Sequence, residues 1–241
     1  MKVNNLANTI MDSKLAELKK FLPFLLMAPY TRAILLAGSV AVGNPKPTSD
    51  IDLIIVSQNN RVWLNRFFLE ILTRILRIRR IKNNFNNKIC FNISLSNREP
   101  LLPHQDAIGA GFYKNIKPVW GDQTEIKKFW EKNSWIKNFE KSGDDRLENL
   151  IPNKNCPLTK TIAEKILDYS GAGLLLEKIS YVLQARYLRK KFNRAVADKN
   201  SLDFDFNIAP HLIAYHFPVS NHARAKKHDR ATVENNSAPE K

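Results

Sequence analysis

Apolar and polar residues alternate along this chain with periods that change from segment to segment, and those periods predict its elements. Leu15, Leu18, Phe21 and Leu25 recur at helical spacing, with Lys19 and Lys20 off that face, so an amphipathic helix is expected to end near Pro29. The run from Ala33 to Ala37 (AILLA) reads as a buried strand, broken by Gly38-Ser39. A short helix or turn is expected around Val40–Gly43. A Pro-bearing loop follows, and then a second strand over Ile51–Val56.

From Arg61 to Ile81 the period returns to helical. Leu64, Phe67, Phe68, Ile71, Leu72, Ile75 and Leu76 form an apolar stripe, and Arg66, Glu70, Arg74 and Arg77 fall on another side. NNFNN is a polar break. Lys88–Leu95 (KICFNISL) is expected to be a third strand, with Cys90, Asn92 and Ser94 on one face and Ile89, Phe91, Ile93 and Leu95 on the other. Helices are expected over His104–Tyr113 and Glu125–Phe139, and one or two longer ones over Lys160–Asn193. The turn-rich stretch SGDDRLENLIPNKNCPLTK reads as a linker, and DKNSLDFDFNIAPHLIAYHFP as coil or short strands. Ser220–Lys241 is polar and reads as a disordered tail. The expected fold class is α/β (α+β), a short mixed sheet flanked by helices with a mainly helical C-terminal part. The domain reading is residues 1–120, a helical region at 121–217, and a tail at 218–241.

Charge changes this picture. Lys and Arg number 38 against 23 acids, a net charge of +15, which favours a polyanionic partner such as a nucleotide, a nucleic acid or an anionic surface. The segment Arg61–Lys88 alone carries eight Lys and Arg against Glu70. Its helix suits nucleotide or RNA steering, contact with a membrane surface, or packing of the stripe with the arginines in water. The basic end of the later helix, Arg186–Arg194, meets the helix dipole favourably and needs no ligand.

Cys90 and Cys156 are the two cysteines, which argues against a zinc ribbon or a disulfide scaffold. The five histidines show no tight ligand spacing, and Trp120, Trp130 and Trp135 read as core. FLPFLLMAPY is too short to span a bilayer, and the first residues have no secretory pattern. A cytoplasmic protein without a transmembrane segment is the expectation.

The chemistry concentrates in GSVAVGNPKPTSDIDLIIV, Gly38 to Val56. Asp50 and Asp52 stand two apart at the start of a strand and project from one face, where their mutual repulsion calls for a cation. A hard divalent ion shared with substrate phosphates fits two carboxylates best. If the two strands are neighbours, the Gly38-Ser39 turn would let a phosphate approach the backbone.

This stretch resembles the signature of the nucleotidyltransferase fold of the DNA polymerase beta superfamily. Gly38, Ser39, Ala41, Gly43, Ser49, Asp50, Asp52 and the apolar run to Val56 match it in its minimal bacterial and archaeal form. The resemblance implies a nucleotidyltransferase fold over roughly residues 10–115. It also implies transfer of a nucleoside monophosphate from an NTP to an acceptor, an RNA end, a protein side chain or a small molecule. Asp50 and Asp52 would hold two Mg²⁺ (Mn²⁺ as the alternative), and Gly38 and Ser39 the triphosphate. Family members usually add a third carboxylate on a later strand. Here that strand carries Asn92 at the corresponding place, with Glu70, Glu99 and Asp106 nearby in sequence. Val42 stands where a basic or aromatic residue is common. The alternative readings are a catalytically reduced nucleotide- or RNA-binding module and an antitoxin-like interaction protein using the same fold.

Overall fold

A computed structural model describes residues 2–81, 86–138, 156–197 and 204–218. The expected tail and most of the expected linker lie outside these residues. Helix α1 (Lys2–Leu25) leads into strand β1 (Thr31–Ala37), the five-residue helix α2 (Gly38–Val42) and strand β2 (Ile51–Ser57). Then come α3 (Val62–Ile75), β3 (Ile89–Ser96), α4 (Ala107–Tyr113), β4 (Lys117–Gly121) and α5 (Gln123–Lys132). A 3₁₀ turn at Ser134–Asn138 follows, and then α6 (Leu158–Tyr169), α7 (Ala172–Ala197) and the hairpin β5 (Phe204–Ala209) and β6 (Leu212–Pro218). The strands form one mixed sheet in the order β4-β1-β2-β3-β6-β5. Only β2 and β3 pair in parallel, with α3 as their crossover; the other pairs are antiparallel.

The two faces of the sheet are buried by different helices. On one face, Ile34 and Leu36 of β1 and Leu53 and Ile55 of β2 pack with Met11, Leu18 and Leu25 of α1 and Leu69 of α3. On the other, Leu35, Ile54 and Val56 pack with Tyr113 of α4, Phe129 of α5 and Ile136. This double burial explains why β1 and β2 read as continuous apolar runs. Among the described residues, no helix is long and apolar enough to cross a membrane.

Several elements depart from the reading of the sequence. The helix expected over Arg61–Ile81 stops at Ile75, because Arg77 adopts φ 55° and the chain turns back to lay Arg79 beside Ile89. Its apolar stripe is buried only in part: Leu64 is buried and Phe68, Leu72 and Leu76 pack on the core, but Phe67, Ile71 and Ile75 are exposed, whereas Asn65, Arg66 and Thr73 are buried. The cause is tertiary. Helix α7 packs on α3 through Ala185 and Leu188, and the Glu177 carboxylate accepts from the Trp63 and Leu64 amides at 3.1 and 2.7 Å. Those amides are among the orphan donors of the first helical turn, so a distant helix supplies the cap that Arg61 does not. Strand β4 follows no alternation long enough to read from sequence. The segment after Asp203 is a hairpin that extends the first sheet through pairing of β6 with β3.

Of the arginines in this segment, Arg74 and Arg77 are exposed, whereas Arg66 of α3 and Arg79 beyond it are drawn inward. Arg66 and Arg79 both reach Glu70, at 3.0 and 2.9 Å, and both donate to the Tyr215 hydroxyl. Burial alone would raise the Glu70 pKa; the Arg66 and Arg79 guanidinium groups outweigh it and hold it below the ordinary value. A depressed carboxyl pKa stabilises the fold above the unfolded value of about 4.3, and that stabilisation is lost as pH falls through the folded value. Glu70→Gln leaves two buried guanidinium groups without their carboxylate. It is expected to cost about 3 kcal/mol and to flatten the acid limb of a stability-versus-pH curve, both measurable by denaturant melts.

Candidate functional site

The loop from Gly43 to Asp50 delivers two acids to the N-terminal end of β2, and its position is set from α1. Lys14 lies on the apolar side of α1, between Met11 and Leu18, and is 1% exposed. Its ammonium donates to the Ser49 carbonyl at 2.6 Å, the Pro47 carbonyl at 3.2 Å and the Asn87 side-chain oxygen at 2.9 Å. Desolvation lowers its pKa, and the nearby Asp50 opposes that shift. A buried cation thus ties the loop before β2 to the loop before β3.

Beyond the loop, Asp50 and Asp52 lie on the face of β2 that also carries Ile54 and Val56. Asp50 accepts from Arg80 Nη1 at 2.7 Å. Asp52 accepts from Asn92 Nδ2 at 2.6 Å, and the Asn92 oxygen accepts from the Cys90 thiol at 2.9 Å. Burial, then the adjacent charge of Asp50, push the Asp52 carboxyl up to about 7, against the pull of Asn92 and Arg80. Burial and Asp52 likewise push the Cys90 thiol up to about 11.

Strand β3 reaches this site through a one-residue register shift. Leu53 pairs with Phe91, but Ile54 pairs with Ile93, so Asn92 is the extra residue. The strict alternation expected for this strand is therefore broken. Ile89 and Phe91 join the core under α1 and α3, whereas Ile93 and Leu95 join the core under α4 and α5. Such a shift re-aims a side chain, and here it turns Asn92 onto Asp52.

Gly38 closes the site from the end of β1. Ala37 pairs with Asp52 across β1 and β2, and Gly38 follows it at φ 68°. A Cβ there would sit 2.1 Å from Asp52 Oδ2, so a side chain is excluded both by backbone conformation and by the carboxylate. Ser39 lies in the first turn of α2, and Gly43 caps its end at φ 86°, with the Gly43 and Asn44 amides returning to the carbonyls of Val40 and Ser39.

The structure thus brings Gly38, Ser39, Asp50, Asp52 and Asn92 to one end of the sheet. The other acids near in sequence are engaged elsewhere. Glu70 holds its arginines, Glu99 lies beside Lys132, and Asp106 caps α4 through the Gly109 amide. Among the described residues, the ligand-bearing group at this site is Asp50, Asp52 and Cys90, with donor atoms within 4.8 Å of one another. The donor set fits a hard divalent cation in its two carboxylates, whose repulsion such a cation relieves. It fits less well in Cys90, a soft ligand that remains a thiol at neutral pH.

Cys90 was legible in the sequence, since it shares its face with Asn92. Lys14 was missed, although a lysine inside the apolar stripe of α1 is a signal that could have found it. Arg80 had no local signal, because its partner is thirty positions away in sequence.

Two substitutions test this geometry. Lys14→Met removes the donor from three loop oxygens; the expected loss is about 2 kcal/mol in a thermal or chemical melt, with weaker divalent-ion binding. Gly38→Ala is expected to cost about 1–2 kcal/mol from its left-handed backbone alone and to displace Asp52 as well. Divalent-ion titration of that variant should show weakened binding even where the melt shows the fold retained.

Residues 15–102 match the family described as nucleotidyltransferase domain, a span from α1 through β3 that contains Gly38, Ser39, Asp50, Asp52, Arg80, Cys90 and Asn92. No curated protein and no solved structure matches the chain. The paired acids, the glycine turn against them and the β1–α2–β2–α3–β3 order agree with that match: residues 15–102 of this chain form a nucleotidyltransferase domain.

Proposed function

We propose that the protein transfers a nucleoside monophosphate from an NTP to an acceptor, with Asp50 and Asp52 holding Mg²⁺ (or Mn²⁺) and the Gly38-Ser39 turn receiving the triphosphate. The observation that carries this reading is the pair of carboxylates on one face of β2, packed against a glycine that admits no side chain. The nucleotidyltransferase domain makes nucleotide the general ligand class and nucleotidyl transfer the general reaction.

In this reading each residue has a stated task. Asp50 and Asp52 hold the cation, Asn92 orients the Asp52 carboxylate through its amide, and Lys14 holds the loop that presents Asp50. The metal would supply charge neutralisation at the phosphates, on both the entering and leaving oxygens. An acceptor oxygen bonds to the α-phosphorus, the bridge to the β-phosphate breaks, and pyrophosphate leaves. The acceptor's proton finds no carboxylate on β3, since Asn92 cannot take one and Cys90 keeps its own. The reading therefore suits an acceptor oxygen that is already ionised, such as a phosphate, better than an unactivated hydroxyl. RNA ends, protein side chains and small molecules remain the acceptor classes to test. The catalytic unit is proposed as residues 1–120, with the region 121–217 packed on it.

A second reading, a nucleotide-binding module without turnover, is favoured by one feature. Asn92 occupies the place of a third acid, and Arg80 already neutralises Asp50. Calorimetric titration of NTPs with and without Mg²⁺, followed by pyrophosphate release over a panel of acceptors, separates the two. The expected result is Mg²⁺-dependent NTP binding that weakens about 100-fold or more in Asp50→Asn/Asp52→Asn. Unchanged binding in that double variant would sink the site assignment. Binding without pyrophosphate from any acceptor would leave the module, and Asn92→Asp should then strengthen Mg²⁺ binding by supplying a third carboxylate.

A further inference from the structure

Helix α6 is amphipathic the wrong way round. The side chains it turns to the sheet are charged. Lys160 is 2% exposed and donates to the Thr31 carbonyl at 2.5 Å, with its ammonium 4.7 Å over the Trp120 ring. Glu164 accepts from the Tyr30 amide at 2.5 Å and pairs with Arg32 at 3.0 Å, and Asp168 pairs with Arg61 at 2.8 Å. Most of the side chains it turns to solvent are apolar, Leu158, Ile162, Ile166 (63% exposed) and Tyr169 (98% exposed), with Lys165 among them. A helix at the surface of a monomer shows the reverse pattern.

Helix α7, joined to α6 through Ser170 and Gly171, is apolar on two sides. One side, with Ala185, Leu188 and Phe192, packs on Trp63 of α3 and on the β5–β6 hairpin. The opposite side leaves Leu175, Ile179, Val182 and Leu183 exposed. Between Leu174 and Leu183 the charged residues are Glu177, which is buried on the α3 amides, and Lys178. The exposed charges along the two helices include Lys165 of α6 and Lys178, Arg186 and Lys190 of α7, set among a larger number of exposed apolar side chains.

We propose that the outward faces of α6 and α7 form a homodimer interface, in which the helix pair of one copy packs on the same pair of a second copy about a two-fold axis. Eleven large apolar side chains on the two helices stand at least a third exposed. Together they offer on the order of 1,000 Å² per protomer, where a standard interface takes roughly 800 Å² from each partner. A two-fold interface needs a self-complementary patch, and a helix pair whose exposed side chains are mainly apolar meets that condition. Exposed apolar area of this extent marks an interaction surface rather than a solvated one. The nucleotide site, at the Ala37 end of β1, takes no part in it: α6 is anchored at Thr31, the opposite end of the same strand.

Sedimentation velocity and light scattering of the full chain test this directly. At about 10 µM the expected mass is twice the 27.7 kDa of one chain, because an interface of this size ordinarily holds at that concentration. Ile166→Glu/Leu183→Glu places two charges in the interface and should weaken association about 100-fold or more, giving a folded monomer that keeps wild-type Mg²⁺–NTP binding and melts at a lower temperature that no longer depends on protein concentration. The milder pair Ile162→Ser/Leu175→Ser should weaken it less and serves if the glutamates impair folding. A wild-type monomer at that concentration overturns the proposal, as does a double variant that dimerises like wild type. Cross-linking of Ile166→Cys to residues 139–155 of its own chain would also overturn it, by giving the face an occupant within the chain.

Discussion

Two carboxylates one residue apart cannot sit at the mouth of a buried strand unless their charge is managed, and the site is arranged around that constraint. Asp50 and Asp52 occupy neighbouring positions of one face, and burial pushes the Asp52 carboxyl up to about 7. Every surrounding group responds to this cost. Arg80 lies against Asp50, the Asn92 amide donates to Asp52, and Gly38 leaves room for the Asp52 carboxylate where any Cβ would collide. The remaining repulsion is what a divalent cation would relieve, so the electrostatic problem of the fold and the chemistry proposed for it have one solution.

The same constraint explains why positioning is done with buried polar groups. Lys14 is withdrawn from water on an otherwise apolar helix face to hold three oxygens of the loops entering β2 and β3. A hydrophobic residue there would pack, but it would not set the loop carbonyls. Glu177 does comparable work at the start of α3, and the Arg66–Glu70–Arg79 cluster at its other end. Helix α3 is thereby held at both ends by ionic contacts, and with it the parallel β2–β3 pair that brings Asn92 and Cys90 beside the acids.

Much of the fold was legible in the sequence because much of it is local. The strands β1 and β2, the glycine turn between them and the facing of Asp50 and Asp52 follow from alternation and spacing that any extended chain obeys. The sequence left one or two helices open over Lys160–Asn193, and the structure breaks them at Gly171, which adopts a left-handed φ of 70°. What was misread has non-local causes. The buried side of α3 was read only in part, because α7, more than a hundred residues later, covers a second side of it. The faces of β3 were misassigned because a register shift against β2 moved Ile93 and Leu95 to the opposite core.

By itself the sequence determined the elements around the site, the acid pair and its candidate chemistry, since these rest on residue types at short spacing. Only the tertiary structure decided which groups share the charge of that pair. Arg80, Lys14 and Cys90 come from the turn after α3, from helix α1 and from strand β3, which the chain brings together on closing the sheet. It also decided that α6 faces the sheet with its charges and water with its apolar side. Periodicity shows that a helix has two unlike faces, but which face is buried depends on the partners already in place.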